Sequence, residues 1–322
     1  MEYRKLGRTG FEVSGVGHGL WGMSGWSGSS DQESLAALQL AVDLGCNFYD
    51  TAWAYGEGKS DGLLGEIMAR NPKQRLYAAS KIPPANDRWP ALPEYKYQDV
   101  FSPKHVFKYA DKIRQQLRTD TIDLLQFHVW DDGWTNEPDF RSTVEKLKHD
   151  GWIRYFGLSI NRWQAENGIQ ALRTGLVDVV QVIYNIFDQS PEDELFPVCQ
   201  ELNVGVIARV PFDEGSLGGK MTRETRFPKD DWRSGYFGPE NLAKTIKRVD
   251  QLKEILPAGM TLPEMALRFI LSHPAVGTTI AGMRKLDHVR QNIASDSGPL
   301  DKPLLAELKK HRWDRTPQRW SD

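Results

Sequence analysis

The sequence predicts an α/β fold: a closed parallel (β/α)8 barrel preceded by a short N-terminal β-hairpin and carrying long loops on its C-terminal face. Three observations carry that expectation. Eight short apolar runs recur along the 322 residues, helix-length amphipathic stretches separate them, and the runs are apolar throughout, as strands buried on both faces are. An open doubly wound sheet shares the same alternation. Closure is favoured because none of the strands has a wet face.

Taken in order, residues 1–13 read as two strands joined by a turn at Gly7–Gly10. Core strands are then expected around Val13–Leu20, Phe48–Tyr49, Leu76–Ala79, Ile122–Phe127, Ile153–Leu158, Val179–Ile183, Val204–Val210 and Val276–Ile280. Ser30 or Asp31 suits the N-cap of a helix running to Leu44, and Ser102 with Pro103 suits the start of one running to Leu117. Gly45, Gly151 and Gly175 stand where helix C-caps favour a left-handed residue. Three long irregular segments, Pro83–Phe101, Trp130–Asp139 and Pro211–Pro239, each follow a strand, which in a barrel assigns them to the catalytic face. The glycines at Gly15–Leu20 read G-V-G-H-G-L, the wrong spacing for a dinucleotide-binding G-x-G-x-x-G.

Composition narrows the function. With 40% hydrophobic residues the chain can bury one large core, so a single domain over residues 1–322 is expected. Its 41 basic and 43 acidic side chains, a formal net charge of −2, offer no basic footprint for nucleic acid and no polybasic membrane anchor. Cys46 and Cys199 are the only cysteines, with neither a disulfide framework nor a C-x-x-C spacing. The N-terminal M-E-Y-R-K-L-G-R-T-G lacks the apolar core of a signal peptide, and no apolar run approaches the roughly 18 residues of a membrane span. A soluble, cytoplasmic protein with a small-molecule partner is the expectation.

The chemistry gathers at the strand ends. Asp50 closes the second core strand, Lys81 the third and His128 the fourth, while Tyr55 follows closely on the loop after Asp50. Singly, each has an ordinary role: a turn cap, a loop aromatic, a solvated lysine, a satisfied core histidine. Together on one rim they form a proton-transfer device. A phenol with a pKa of about 10 is a poor acid at neutral pH, and a nearby ammonium lowers that value. Asp50 would hold Lys81 charged, and His128 would direct a substrate oxygen toward the phenol. Such a set suits protonation of a carbonyl oxygen while hydride reaches its carbon, for which nicotinamide is the economical donor. A metal site on Asp50 and His128 ranks below this, since too few of the 7 histidines fall at strand ends.

The run N-F-Y-D-T-A-W-A-Y-G through G-L-L-G-E, the strand end at Lys81 and the segment D-L-L-Q-F-H resemble the aldo-keto reductase superfamily, and the likeness covers nearly the whole chain. The resemblance implies a TIM-type barrel that reduces an aldehyde or ketone to an alcohol with NAD(P)H, or runs the reverse oxidation. Tyr55 would be the general acid, Asp50 and Lys81 its tuning pair, and His128 the group that aligns the carbonyl. It extends also to potassium-channel β subunits, so a nicotinamide-binding regulatory subunit is the alternative.

On the cofactor side the resemblance points to Ser159 and Gln181 as carboxamide contacts, with Asn161 set one place further along than in many relatives because Ile160 intervenes. Gly19, Trp21 and Phe212 are counted with them. Arg209 occupies the place where many relatives stack an aromatic ring on the nicotinamide; a planar guanidinium can stack too, but its charge disfavours the oxidised ring. The segment I-A-R-V-P-F-D-E-G-S-L-G-G-K is similar to the family loop that covers the pyrophosphate with backbone N–H groups, carrying over Gly215, Ser216, Leu217 and Lys220. Arg284 would face a 2′-phosphate, and His288, Gln291 and Asn292 the adenosine end, so that NADP(H) is favoured over NAD(H).

For the substrate, Trp21, Trp53, Trp89 and Trp130 are the expected walls of an aromatic pocket for an apolar or sugar-like carbonyl compound, and Trp26 and Trp134 lie in the same segments. Asp131–Asp132 and Asp87–Arg88 would suit hydroxyl groups. The tail R-W-D-R-T-P-Q-R-W can close the pocket or serve an oligomer contact; the oligomeric state itself is not written in the sequence.

Overall fold

The computed structural model describes residues 1–25, 28, 30–229 and 231–315. Strands β1 (Tyr3–Lys5) and β2 (Glu12–Ser14) pair antiparallel, joined through a 3-10 turn at Gly7–Thr9 that ends on Gly10 at φ 69°. Parallel strands β3 (Val16–Gly19), β4 (Phe48–Asp50), β5 (Tyr77–Ile82), β6 (Ile122–Phe127), β7 (Ile153–Ser159), β8 (Val179–Ile183), β9 (Gly205–Arg209) and β10 (Val276–Gly282) follow. They close in the order β10-β3-β4-β5-β6-β7-β8-β9, so the open doubly wound sheet is excluded. One boundary differs from expectation: Val13 and Ser14 belong to the hairpin, and the first barrel strand begins at Val16.

The hairpin has a packing task. Its turn seats Leu6, fully buried, in the N-terminal mouth of the barrel, in a core that includes Phe48, Leu124 and Ile207. Glycine makes the seat possible. A Cβ on Gly7 would lie 2.2 Å from the backbone nitrogen of Gly205, and one on Gly205 or Gly277 would lie 2.8 Å from the Leu6 side chain. Burying a leucine there contributes about 1.5–3 kcal/mol. It also closes the bottom of the barrel and leaves the opposite rim as the working face.

Outside the barrel, helices start and stop where their chemistry directs. The helix Asp31–Asp43 begins on a capping box between Ser30 and Glu33, two orphan donors satisfied reciprocally. The helix Pro103–Leu117 has Ser102 at its N-cap position but takes no side-chain cap bond from it. Gly45, Gly151 and Gly175 all adopt left-handed φ, at 91°, 72° and 78°. None of the helices among the described residues is long and apolar enough to cross a membrane.

Register then decides the site. Gly19 is paired with Asp50, Lys81 with Gln126, Ser159 with Gln181, and Ile183 with Arg209. Since all eight strands run the same way, the polar residues at their C-terminal ends converge on one rim.

Candidate active site

Lys81 Nζ donates to Asp50 Oδ1 at 2.6 Å and to the Thr51 carbonyl at 2.8 Å. Gln181 Nε2 donates to the other carboxylate oxygen at 2.7 Å. The two charges are 0% and 2% exposed, so removal of either leaves an uncompensated buried ion. Burial disfavours the Lys81 ammonium, but Asp50 and Tyr55 outweigh it and hold its pKa above the ordinary lysine value. Lys81 is therefore a fixed cation.

Tyr55 sits half-buried on the turn after β4, where its amide donates to the Ala52 carbonyl at 2.9 Å. Lys81 Nζ lies 5.1 Å from its ring centre. The expected net depression of the phenol is not what results. Burial pushes the Tyr55 pKa up, and the opposing pull of Lys81 and Arg209 does not offset burial together with the Asp50 charge. The group stays a neutral O–H at working pH, which is the state a proton donor needs.

His128 follows β6, its ring edge-on to Tyr55 at 5.7 Å and to Trp89 at 5.8 Å. Burial, then the charges of Lys81 and Arg209, hold it well below the ordinary histidine value. A neutral imidazole can donate to a carbonyl oxygen without competing for the phenol's proton.

Asp50, Tyr55 and His128 open on a cavity of about 680 Å³, with Lys81 buried behind them. Of the sequence-predicted cofactor contacts, Gly19, Trp21, Ser159, Asn161, Gln181, Arg209, Phe212, Gly215, Arg284 and His288 line it. Gln181 spends its amide nitrogen on Asp50, leaving its carbonyl oxygen as the acceptor it offers a ligand. Arg209 donates through Nη2 to the Ile160 carbonyl at 3.0 Å, while its Nε is buried without a partner. Burial and the Arg162 charge bring Arg209 down to about 10, still a cation at neutral pH. The Gln181 carbonyl oxygen as acceptor and the unpaired, buried Arg209 Nε as donor, both on this lining, fit a ligand that carries an amide and negative charge.

The other sequence-predicted contacts lie off this lining or are engaged within the protein. Ser216 is buried and donates to Asp213 Oδ2 at 2.7 Å, and Leu217 packs into the core. The amides of Gly215 and Leu217 both donate to the Phe212 carbonyl, at 2.8 and 3.0 Å, so these two N–H groups serve the loop itself. Lys220 and Gln291 are exposed and Asn292 is buried, none of them among the lining residues. Asn161 lines the cavity yet brackets Ala91 with both amide atoms, at 2.9 and 3.2 Å, and so braces the loop that carries Trp89.

The tryptophans divide. Trp21 and Trp89 line the cavity; Trp130 does not, being wholly buried with Nε1 on Asp132 Oδ1 at 2.9 Å and Phe140 at 4.7 Å. Trp134 is likewise core. Trp53 leans on Tyr109 at 5.5 Å and fills the space above Gly58, away from the lining. Trp26 lies outside the described residues. Asp132 accepts from the amides of Gln170 and Ala171 in a neighbouring helix, and Asp131 from that of Gly133, and neither is among the lining residues. Asp87 and Arg88 are also absent from the lining.

Sequence reasoning missed Trp232, whose ring packs 5.9 Å from that of Trp21, and the ion pair of Arg162 with Glu214 at 2.5 Å, both on the lining. Trp232 and Glu214 lie in the long segment after β9 that was assigned to this face. Asp61 was missed as well: it is wholly buried, accepts from Ser80 Oγ at 2.7 Å, and burial raises it to about 7. Among the described residues there is no cluster of three metal-ligating side chains.

A closed parallel barrel with a buried carboxylate–ammonium pair, a phenol and a neutral imidazole at its C-terminal rim is the architecture of an enzyme. Comparison with known proteins places it more closely. The aldo/keto reductase family model matches residues 15–312. The uncharacterised oxidoreductase YqkF of Bacillus subtilis is 30% identical over 97% of this chain and 96% of its own. The NADH-specific methylglyoxal reductase of Escherichia coli is 26% identical over 94% of this chain and 97% of its own. The solved structure of the glycerol dehydrogenase from Gluconobacter oxydans superposes with a TM-score of 0.78, at 27% identity, over 98% of both chains. The chain belongs to the aldo/keto reductase family and is an oxidoreductase.

Proposed function

We propose that the protein reduces an aldehyde or ketone to an alcohol with NADPH, and that Tyr55, His128, Lys81 and Asp50 carry the proton transfer. The supporting observation is the convergence of the neutral Tyr55 phenol and the neutral His128 ring, 5.7 Å apart, over the buried Lys81–Asp50 pair. When bound, the reduced nicotinamide supplies the hydride. His128 orients the carbonyl oxygen toward the Tyr55 hydroxyl, which gives up its proton as negative charge develops on that oxygen. Lys81 stabilises the phenolate left behind, and Asp50 fixes the ammonium in place.

Gln181 and Ser159 would hold the carboxamide, with Arg209 against the nicotinamide ring. A fixed cation there favours the neutral reduced ring over the positively charged oxidised one, and so favours reduction and release of the spent cofactor. Arg284 and His288, both on the cavity lining, would take the adenosine end, with Arg284 reading the 2′-phosphate. Family membership does not fix that choice, since the methylglyoxal reductase relative is NADH-specific.

Between Trp21, Trp89 and Trp232 the substrate meets aromatic faces, which suit small apolar or sugar-like carbonyl compounds; the methylglyoxal reductase and glycerol dehydrogenase relatives act on molecules of that size. Loss of NADPH absorbance is the test, against a panel of short aldehydes, ketoses and dicarbonyls. Turnover of at least one class is expected. Tight NADPH binding with no turnover across the panel would overturn the proposal.

A further inference from the structure

Arg315, past the final helix Lys302–Lys309, is buried beneath the loop that follows β9. Its guanidinium meets two carboxylates from different strand-end loops: Asp188 after β8, and Asp213 after β9 at 2.8 Å. It also donates to the Tyr236 hydroxyl, and the rings of Trp163 and Trp313 lie 5.0 and 4.9 Å from its centre. Side-chain exposures of 8% for Arg315, 5% for Asp188 and 1% for Asp213 put this cluster out of water. Asp213 accepts in addition from Ser216 Oγ at 2.7 Å. Asn185 Nδ2 ties Asp188 to the Val210 carbonyl, at 2.9 and 3.0 Å.

The loop held in this way is strained. Val210, Asp213 and Glu214 have φ of 57°, 43° and 57°, in the left-handed region that side-chain-bearing residues avoid, and β-branched Val210 most of all. Such a shape persists only where its surroundings over-determine it. Two anchors do so from opposite sides. Arg162 grips Glu214 at 2.5 Å on the cavity side, and Arg315 grips Asp213 on the outer side.

We infer that Arg315 is a positioning residue: the tail arginine latches the β9 loop in its strained, cavity-lining shape, and thereby sets how fast the nicotinamide cofactor is released. The inference rests on the proposed NADPH site, whose cavity this loop lines through Val210, Phe212, Glu214 and Gly215. Arg315 itself lies outside the cavity lining and acts through Asp213. Without the cation, Asp213 and Asp188 are two buried carboxylates facing each other, and the loop relieves them by swinging out to water.

The full-length Arg315→Ala variant tests the latch by two readouts. Amide hydrogen exchange over residues 210–219, measured without added cofactor, should quicken by roughly tenfold or more. NADPH dissociation in stopped flow should quicken by a similar factor, raising the KM for NADPH without lowering kcat. Arg315→Lys keeps a cation but not a fork that spans two carboxylates, and should fall between. Arg312→Ala removes surface ion pairs with Asp193 and Asp314 from the same tail and should match wild type in both readouts. Unchanged exchange and release in Arg315→Ala, or equal acceleration in Arg312→Ala, would overturn the inference. Should Arg315→Ala fail to fold, Arg315→Lys carries the same test, and wild-type values in it would overturn the latch. A wild-type protein that does not bind NADPH would remove the cofactor reading instead, and exchange over residues 210–219 would still decide whether the loop is latched.

Discussion

Replacing Lys81 with Met leaves a side chain of similar length and removes the charge that the Asp50 carboxylate faces at 2.6 Å. Breaking one side of a buried ion pair costs about 3–5 kcal/mol. Gln181 still donates to Asp50 Oδ2 at 2.7 Å, which places the expected loss toward the lower figure. Against a stability of about 5–15 kcal/mol for a folded domain, the protein survives with a clearly lower denaturation midpoint. Asp50→Asn combined with Lys81→Met removes both charges and should recover much of that loss, a coupling on the order of 1–3 kcal/mol. Activity should not recover with it. Both variants lack the cation that stabilises the phenolate, and kcat for carbonyl reduction should fall by roughly 10²–10⁴ in each. Urea denaturation followed by tryptophan fluorescence, alongside NADPH-linked turnover, separates the two quantities. A Lys81→Met protein as stable as wild type, or a double variant that regains activity, would refute the account of the pair.

Two further outcomes follow from the same geometry. Asp61 is raised from 3.8 to about 7 by burial, so the favourable protonated form is complete below about pH 4 and is lost as pH rises through 7. Asp61→Asn should remove that slope and grow more stable relative to wild type, by a few kcal/mol, between pH 4 and 7 in parallel thermal melts; parallel curves would show that Asp61 does not titrate there. Arg284→Ala should weaken NADPH binding by roughly tenfold or more while leaving NADH nearly unchanged, as titration of intrinsic cofactor fluorescence would show, and equal losses for both would discard Arg284 as the reader of the 2′-phosphate.

Much of the fold was legible because period and polarity report it directly. Eight apolar runs with polar residues at their ends became eight barrel strands, and register carried Asp50, Lys81, His128, Ser159, Gln181 and Arg209 to one rim. Sequence spacing could not weigh burial against charge. Tyr55 was expected to be depressed by Lys81, but desolvation of a half-buried phenol outweighs one ammonium whose charge is already shared with Asp50. Nor does a strand end reveal which way the next side chain turns. Trp130 follows His128 by two residues and points into Phe140 and Trp134, whereas Trp232, on a loop with no period to read, reaches the cavity. Arg315 was read only as part of a tail, because its partners Asp188 and Asp213 are 127 and 102 positions away in the chain and nothing local marks the pairing.

The central claim is that the Tyr55 hydroxyl delivers the proton. Tyr55→Phe keeps the half-buried ring beside His128 and Lys81 and removes only the hydroxyl, so NADPH should bind with near wild-type affinity while reduction of the best substrate in the panel falls by roughly 10²–10⁴. Near-normal turnover in Tyr55→Phe, with cofactor bound, would contradict the account.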